Sequence, residues 1–436
     1  MMIGFQRFFL GVLIANMTHV YVEISDLLWR LRIGLPLDGI TRVTLICLEE
    51  LSAGPENQPV KLLAYDAIFK LYRENDFLAF PRKGKSFPKG YVPTVAKRLM
   101  ELKPVVLWAK ARFKLDDLLF YSGNWWWRSK AFHLLSKMKT ESGVSLCVFM
   151  HDMIPVMRPE FVSPVTAVSF GQQMPLVSSA ADFFVTNSQA SKSGLLKWMS
   201  SNTKITRPVF VTPLPHEFSS NPLAKRTLLR TLIKSFVDIL QQGRMAKINA
   251  KLASASFVLM VGTIEKRKNV SSVLEAWQRV LIETSGTAPL LVLVGKWGQG
   301  AEQIKSKLNG SEALRRGVLV INFASDHLLA TLYRRCLFTI YLSLYEGWGL
   351  PIGESLWFGK RVLASDISAM PEAGEDMAVY ANPNDLEDIT SKLLSLIKSA
   401  EATYLPPIKK KNLRTRKMFG KSLVEVFRSS VAQVKS

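Results

Sequence analysis

Short apolar runs alternate with helical segments along this chain, and they do so in two separate series. The first series comprises residues 19–25, 58–66, 117–122, 144–150, 182–186 and 208–212. The second comprises residues 257–263, 289–298, 317–323, 337–343 and 361–365. Strands that alternate with helices form mostly parallel sheets with helices on their faces. The pattern therefore predicts an α/β protein with two Rossmann-like, doubly wound domains that face each other across a cleft.

The length of 436 residues suits two domains of ordinary size. Strand character is lost after residue 213 and returns near residue 256, which separates the two series. We therefore assign residues 1–213 to an N-terminal domain, 214–255 to a connector, 256–400 to a C-terminal domain and 401–436 to a basic, amphipathic helical tail. Ligands of doubly wound sheets bind at the carboxyl ends of the strands, so the loops that follow the strands are where functional residues are expected.

The loop after the fourth strand of the second series is broken by Gly347, Gly349 and Pro351 and leads into a helix. Such a loop presents free backbone N–H groups and the positive end of a helix dipole, which suits an anionic ligand. Glu346 and Glu354 frame the loop with seven residues between them. Because a carboxylate can accept two hydrogen bonds from a vicinal diol, both predict contacts with sugar or ribose hydroxyls. The alternative is a surface turn with two solvated glutamates.

The stretch EGWGLPIGES resembles the E-x7-E signature of the retaining glycosyltransferases of family 4, which have the GT-B fold. Within that family, the segments VGTIE-x-RKN, LVLVGK and ESL-x-FGK are similar to those of bacterial exopolysaccharide and O-antigen mannosyltransferases. The resemblance implies an acceptor-side N-terminal domain and a nucleotide-sugar-binding C-terminal domain. It also implies that Glu346 and the backbone of Gly347, Trp348, Gly349 and Leu350 contact the donor sugar. Glu354 would contact the ribose of the donor.

Basic residues follow the first strand of the second series, in VGTIEKRKN. Arg267 and Lys268 would meet a diphosphate there, Arg by its planar fork and Lys as a point charge. The segment resembles the family's VGTIEPRKN, which adds Gly262 and Thr263 to the donor site, although Lys266 replaces the usual proline. We find no Asp-x-Asp pair at a strand end and no His/Cys cluster. Fixed positive charge, without a metal or other cofactor, is therefore predicted to stabilise the leaving phosphate; a solvated charge cluster is the alternative.

Three further candidate sites lie in the first half. His151 follows a buried strand, and HDMIPVMRPE resembles the family's segment at the donor sugar, which implies a catalytic role; a structural histidine is the alternative. Gly39 and Arg42, in a predicted glycine loop, resemble the family's N-terminal GI-x-R-V segment and are acceptor-side candidates. Trp125 is a third, because it opens a run that ends at Trp127. Three consecutive tryptophans cannot all face one core, so at least one is expected to be exposed, with core packing as the alternative.

The formal charge of +22 attracts nucleic acid, anionic lipid or small polyanions. The interval 82–114 contains ten basic residues and one acid, and residues 94–103 are predicted to form a short helix with one apolar face. We therefore expect peripheral association with the anionic inner leaflet; a solvated face or attraction of anionic donors is the alternative. The apolar run at residues 8–15 is too short to cross a bilayer, so residues 1–16 are interpreted as an upstream start or an interfacial anchor.

The predicted function is the retaining transfer of mannose from GDP-mannose to a lipid-linked glycan in exopolysaccharide or O-antigen synthesis. UDP-glucose or another donor stays open, because these motifs encode donor choice poorly. The three scattered cysteines indicate buried thiols, a reducing compartment and hence a cytoplasmic location. A nucleic-acid-binding protein is permitted by the charge, but no nucleic-acid motif accompanies it, so nucleic acid is not an expected partner. A non-catalytic nucleotide-sugar sensor is the third option.

Overall fold

The computed structural model describes residues 17, 19–32, 38–53, 60–64, 105–107, 111–127, 129–218, 252, 255–322, 324–401 and 408–435. The chain divides into two compact units. Unit 1 comprises Met1–Glu160, Pro164–Pro213 and Thr415–Ser436, and unit 2 comprises Phe161–Ser163 and Leu214–Arg414. Residues 82–104 and 108–110 of the basic interval lie outside the described residues, and so do the helix expected at 94–103, the run 1–16 and most of the predicted connector.

Unit 1 is built on a sheet of seven parallel strands in the order β3-β2-β1-β4-β5-β6-β7. Its strands are β1 Val20–Glu23, β2 Val60–Ala64, β3 Val105–Leu107, β4 Leu118–Tyr121, β5 Ser145–Met150, β6 Phe183–Thr186 and β7 Val209–Val211. Every strand predicted for the first series is present. The sequence did not reveal β3, because three apolar residues are too few to form a recognisable pattern. The order reverses between β1 and β4, as in doubly wound sheets.

The helices of unit 1 are α1 Ser25–Arg32, α2 Gly39–Ala53, α3 Ser129–Ser142, α4 Ile154–Met157, α5 Pro164–Ala180, α6 Gln189–Asn202 and, from the end of the chain, α14 Arg416–Lys435. Helix α14 packs on α2, where the Arg416 guanidinium lies 2.5 Å from Glu49 and 3.2 Å from Glu50. An added Cβ at Gly420 would lie 2.7 Å from the Cβ of Glu50. The missing side chain at Gly420 thus permits the close approach of these two helices.

Unit 2 contains six parallel strands in the order β10-β9-β8-β11-β12-β13. Its strands are β8 Phe257–Val261, β9 Leu290–Val294, β10 Val318–Ile321, β11 Thr339–Tyr341, β12 Val362–Ser365 and β13 Val379–Ala381. Here too every predicted strand is present, and only the three-residue β13 was missed. The helices are α7 Val270–Glu283, α8 Ala301–Gly310, α9 Glu312–Gly317, α10 Asp326–Arg335, α11 Leu350–Trp357, α12 Met370–Gly374 and α13 Leu386–Glu401.

Alternate residues of β8 pack on opposite faces of the unit 2 sheet. Val258 and Met260 belong to the cluster around Trp277 of α7. Phe257 and Leu259 belong to the cluster around Tyr333 of α10. A strand that is buried on both faces needs a continuous apolar run, and this is how residues 257–261 read in the sequence. The two helical layers hold the carboxyl end of β8 rigidly in place.

Three further observations bear on the sequence predictions. Cys47, Cys147 and Cys336 are all buried free thiols, as predicted. No helix within the described residues is both long enough and apolar enough to span a bilayer. In the same part of the chain, no group of three His, Cys, Asp or Glu side chains is placed to hold a metal ion.

Among the described glycines of unit 2, Gly295 is the one least able to accept a side chain. A Cβ there would lie 1.8 Å from the carbonyl oxygen of Gly262, and this atom belongs to the backbone and cannot rotate away. We expect Gly295→Ala to destabilise unit 2 by about 3 kcal/mol, because the loops after β8 and β9 must separate. Urea unfolding measures this. Gly310→Ala is the matched control, since nothing lies within 4 Å of its added Cβ; equal stability of the two variants would contradict the close packing.

Candidate active site

The loop after β8 is held against the loop after β9. The backbone N–H of Gly262 donates to Val294 O at 2.9 Å, and that of Ile264 donates to Lys296 O at 2.8 Å. Gly262 has φ +148°, a conformation that side chains rarely adopt, and its Cα faces the aliphatic stem of Lys268. Thr263 is half-buried in the same loop. The glycine therefore lets the chain turn sharply at the strand end.

Arg267 and Lys268 lie in a single 3₁₀ turn, Lys266–Lys268, between β8 and α7. Asn269 ends the turn in the left-handed conformation, with φ 58°, and its side-chain amide donates to Pro383 O at 2.7 Å. The carbonyl of Arg267 accepts from the backbone N–H of Leu344 at 2.8 Å. This bond joins the turn to the segment that leaves β11, so the two strand-end loops form one structure.

Glu346 lies between the two cations. Its Oε1 is 2.5 Å from Lys268 Nζ, and its Oε2 is 2.6 Å from Arg267 Nη1. The backbone of Glu346 is fixed by Ser368, whose hydroxyl donates to the Glu346 carbonyl at 2.6 Å and accepts from its N–H at 3.3 Å. The structure thus brings together three of the residues that the sequence predicted, although Lys268 and Glu346 are 78 positions apart.

Charge and burial together set the ionisation of this cluster. Burial alone would raise the pKa of Glu346, but the charges of Arg267 and Lys268 outweigh it and lower that pKa to about 2. Burial lowers the pKa of Lys268, and the carboxylate of Glu346 opposes this effect. Glu346 is therefore an anion throughout the physiological pH range. Its carboxylate lies between the two cations.

Two residues of the cluster were not predicted. The hydroxyl of Tyr341, the last residue of β11, lies 2.6 Å from Lys268 Nζ, and the ammonium also lies 4.5 Å from the Tyr341 ring centroid. Glu265 accepts from Arg267 Nη2 at 2.9 Å. Tyr341 reads as an ordinary strand residue, and Glu265 as one more charge in a charged loop, so no spacing in the sequence marks either one.

Glu354 lies on α11, five residues after the helix N-cap. Gly349 is that cap and has φ +112°, while Leu350 is the first helical residue. Glu354 is buried, and its Oε2 accepts from the hydroxyl of Tyr333 at 2.8 Å. Tyr333 in turn stacks on Phe358, with ring centroids 5.4 Å apart. The carboxylate is thereby oriented by a tyrosine that the sequence analysis did not single out.

Gly347 and Trp348 complete the loop between Glu346 and α11. Trp348 is 3% exposed, and its indole N–H has no hydrogen-bond partner among the described residues. A buried N–H group without a partner is uncommon in folded proteins. This loop thus carries a hydrogen-bond donor that an oxygen atom of a ligand could satisfy.

Among the candidates of unit 1, His151 lies at a strand end, and Gly39 and Arg42 lie on a helix. His151 is buried after β5, and its Nε2–H donates to Ser122 O at 2.7 Å. Burial lowers its pKa to about 4, so the ring is neutral at physiological pH. Gly39 and Arg42 lie on the first turn of α2 instead of in a loop, because Asp38 caps this helix by accepting from the Thr41 N–H at 2.9 Å.

The tryptophan run forms a 3₁₀ turn with one buried and one exposed end. Trp125 is 1% exposed and packs on Phe170 of α5, with ring centroids 4.6 Å apart. Its assignment as an acceptor-side residue is corrected, since it has no free face for a sugar. Trp127 is 51% exposed, which confirms that the run cannot be buried as a whole.

Comparison with known proteins gives a family match for the part of the chain that contains the cluster. Residues 242–412 match the family described as glycosyl transferases group 1. This segment is similar to a group 1 glycosyltransferase domain. Serotype-specific mannosyltransferase WbdA of Escherichia coli is 26% identical over 273 residues, which is 61% of this chain and 32% of that protein. O-antigen chain mannosyltransferase B of Escherichia coli is 32% identical over 145 residues, or 33% of this chain and 37% of that protein.

The match to these curated relatives spans about a third of their length. Solved structures cover this chain more fully. HepE from Anabaena, in complex with UDP and glucose, has a TM-score of 0.56 at 15% identity and covers 95% of this chain and 100% of its own. Sucrose-phosphate synthase from Thermosynechococcus elongatus has a TM-score of 0.57 at 14% identity, with 95% and 99% covered. At such identities the likeness concerns the fold, which is GT-B, as predicted.

Proposed function

We propose that this protein is a retaining glycosyltransferase that moves a sugar from a nucleotide diphosphosugar to a glycan acceptor. The observation that carries the proposal is the buried cluster of Arg267, Lys268 and Glu346 at the carboxyl ends of β8 and β11. Doubly wound sheets bind their ligands at this edge. Two cations held at fixed positions suit a diphosphate, and the adjacent carboxylate suits the hydroxyls of the sugar it carries.

The chemical step follows from these charges. An acceptor hydroxyl oxygen bonds to the anomeric carbon, while the bond from that carbon to the β-phosphate oxygen breaks. The nucleoside diphosphate leaves with the electron pair of that bond, and one of its phosphate oxygens takes the proton of the acceptor hydroxyl. Arg267 and Lys268 stabilise the negative charge that develops on the leaving group. With no protein nucleophile assigned to the step, attack and departure take place on the same face of the sugar, which retains the anomeric configuration.

Glu346 and Glu354 are assigned to the two ends of the donor. Glu346, with the backbone of residues 347–350, accepts hydrogen bonds from the transferred sugar. Glu354 accepts them from the ribose, and the hydroxyl of Tyr333 holds the carboxylate in place for this role. Glu346 bonds to both cations, so a diphosphate must take over at least part of these bonds when it binds.

GDP-mannose is the donor that we propose, and this choice is supported by the names of the E. coli relatives, which are mannosyltransferases. UDP-glucose is the alternative, because the solved relatives of similar fold include one in complex with UDP and glucose. Thermal unfolding with GDP-mannose, UDP-glucose or an oligonucleotide distinguishes these possibilities. A ligand that binds only the folded state at 100 times its Kd adds about 2.7 kcal/mol of stability. We expect GDP-mannose to give the largest shift; a shift with the oligonucleotide alone would point to a nucleic-acid-binding protein.

For the acceptor we propose a lipid-linked oligosaccharide of exopolysaccharide or O-antigen synthesis, met at the cytoplasmic face of the inner membrane. The support is the formal charge of +22 and the basic interval 82–114, whose first part lies outside the described residues. Each basic residue near an anionic surface contributes on the order of 1 kcal/mol. Sedimentation with anionic vesicles at low salt should therefore bring down the protein, whereas neutral vesicles should not. Equal behaviour with both would refute the membrane part of the proposal.

A further inference from the structure

The long segment of unit 2 begins at Leu214 and ends at Arg414, and hydrogen bonds join its two ends. The His216 N–H donates to Arg414 O at 2.9 Å, and the Arg414 N–H donates to His216 Nδ1 at 2.8 Å. Arg414 Nε also donates to Leu214 O at 3.2 Å. We call these three residues the crossover clamp. The clamp joins the two ends of the long segment of unit 2, which are 200 positions apart in the sequence.

His216 supports the helix that carries Glu354. Its side chain is 1% exposed, and Nε2–H donates to Ala373 O at 3.1 Å. A Cβ added to Gly353 would lie 3.0 Å from the Cα of His216 and 3.2 Å from its Cδ2. The backbone of α11 therefore rests directly on the histidine, one residue before Glu354. Burial, followed by the charge of Arg414, lowers the pKa of His216 to about 4, so Nδ1 stays a hydrogen-bond acceptor at physiological pH.

Arg414 reaches the loop that precedes the same helix. Its guanidinium carbon lies 5.2 Å from the ring centroid of Trp348, which is buried between Gly347 and Gly349. The guanidinium also pairs with Glu375 and donates to Glu372 O at 3.5 Å. One side chain thus bridges the exit of unit 2, the donor loop and the turn after α12. A cation over an indole face is attracted to it, most strongly where water is excluded.

We propose that His216 and Arg414 are positioning residues for the donor site. They act through Gly353 and Trp348, which they hold in the conformation that accepts the diphosphate part of a nucleotide sugar. The inference rests on the proposed function, because it assumes that the loop between Glu346 and α11 binds this donor. Ligand affinity falls when a binding loop must be ordered at the moment of binding, so a loosened clamp should weaken the donor complex even in a folded protein.

Titration calorimetry with GDP and with UDP tests the inference on the full chain. We expect Arg414→Ala to weaken the binding of whichever nucleotide the wild type prefers by about tenfold, within the range of coupling between separate sites. Arg414→Lys should restore part of the affinity, because it keeps a cation near Trp348. The matched control is Arg279→Ala, which removes an exposed arginine that pairs with Glu387 in the same unit; its affinity should equal that of the wild type.

A second pair of variants tests the histidine. His216→Asn places an oxygen near the position of Nδ1 and can still accept from the Arg414 N–H, so we expect near-wild-type affinity. His216→Leu removes the acceptor and should weaken binding as Arg414→Ala does. A melting temperature that falls with unchanged nucleotide affinity, in Arg414→Ala or in His216→Leu, would show a merely structural role and overturn the inference. A wild type that binds neither GDP nor UDP would instead overturn the proposed function.

Discussion

We expect Lys268→Ala to remove nearly all sugar transfer while the chain stays folded. Lys268 is 8% exposed. Its Nζ lies 2.5 Å from Glu346 Oε1 and 2.6 Å from the Tyr341 hydroxyl. Without it, the leaving diphosphate keeps only Arg267 as a fixed cation. Loss of one such group in a water-excluded site costs about 10²–10³ in rate, and we expect a loss at the upper end.

The control for this variant is a neighbour in the same turn. Lys266 is exposed and lies two residues earlier, so Lys266→Ala removes the same charge from the same 3₁₀ turn without touching the cluster. Transfer is followed as the release of nucleoside diphosphate, and melting curves establish that both variants are folded. If Lys268→Ala and Lys266→Ala retain similar activity, the assignment of Lys268 to the leaving group is wrong.

Glu346→Gln should lower transfer and, at the same time, tighten the binding of free nucleoside diphosphate. The carboxylate of Glu346 bonds to both Arg267 and Lys268. Glutamine has the same shape without the charge, so the two cations become available to a diphosphate. We expect the Kd for GDP to fall about tenfold, which corresponds to 1.4 kcal/mol. Transfer should fall about 100-fold, because the sugar loses a charged acceptor in the transition state.

Opposite changes in affinity and rate distinguish this account from simple damage to the site. Glu387→Gln provides the control, since Glu387 pairs with Arg279 on the surface of unit 2, and neither quantity should change. The low pKa of Glu346 adds a condition: the carboxylate stays ionised down to about pH 2, so its protonation cannot appear in the pH profile of transfer above pH 4. Weaker binding of GDP by Glu346→Gln would contradict the competition between carboxylate and diphosphate.

The sequence predicted the architecture well, because the buried strands are encoded by continuous apolar runs. The continuous apolar run at 257–261 is typical of a buried strand. The glycines and the proline after β11 indicate where the turn lies. Arg267, Lys268 and Glu346 were expected at strand ends, and in the structure they follow β8 and β11, which are paired in the sheet. The pairing of Glu346 with both cations could not be predicted from the sequence. It depends on how the two strand-end loops are positioned relative to each other in the folded sheet.

Residues that act through tertiary contacts left no local signal. Tyr333 and His216 read as a helix residue and a loop residue, and only the folded chain brings them to Glu354 and Gly353. For Trp125, the pattern indicated correctly that the aromatic run could not be buried whole. Trp125 faces the core because it packs on Phe170, which is 45 positions away. The spacing of residues in the sequence does not predict such a contact.

The most direct test of the central claim is a transfer assay with the purified protein, GDP-mannose and a lipid extract that contains lipid-linked oligosaccharides. The account predicts that GDP is released in step with sugar incorporation into the lipid fraction, that the new linkage keeps the anomeric configuration of the donor, and that Lys266→Ala but not Lys268→Ala sustains the reaction. Replacing the donor by UDP-glucose tests the alternative within the same assay. Incorporation from neither donor, by a protein that melts cooperatively and binds nucleotide, would contradict catalysis and leave a nucleotide-sugar sensor.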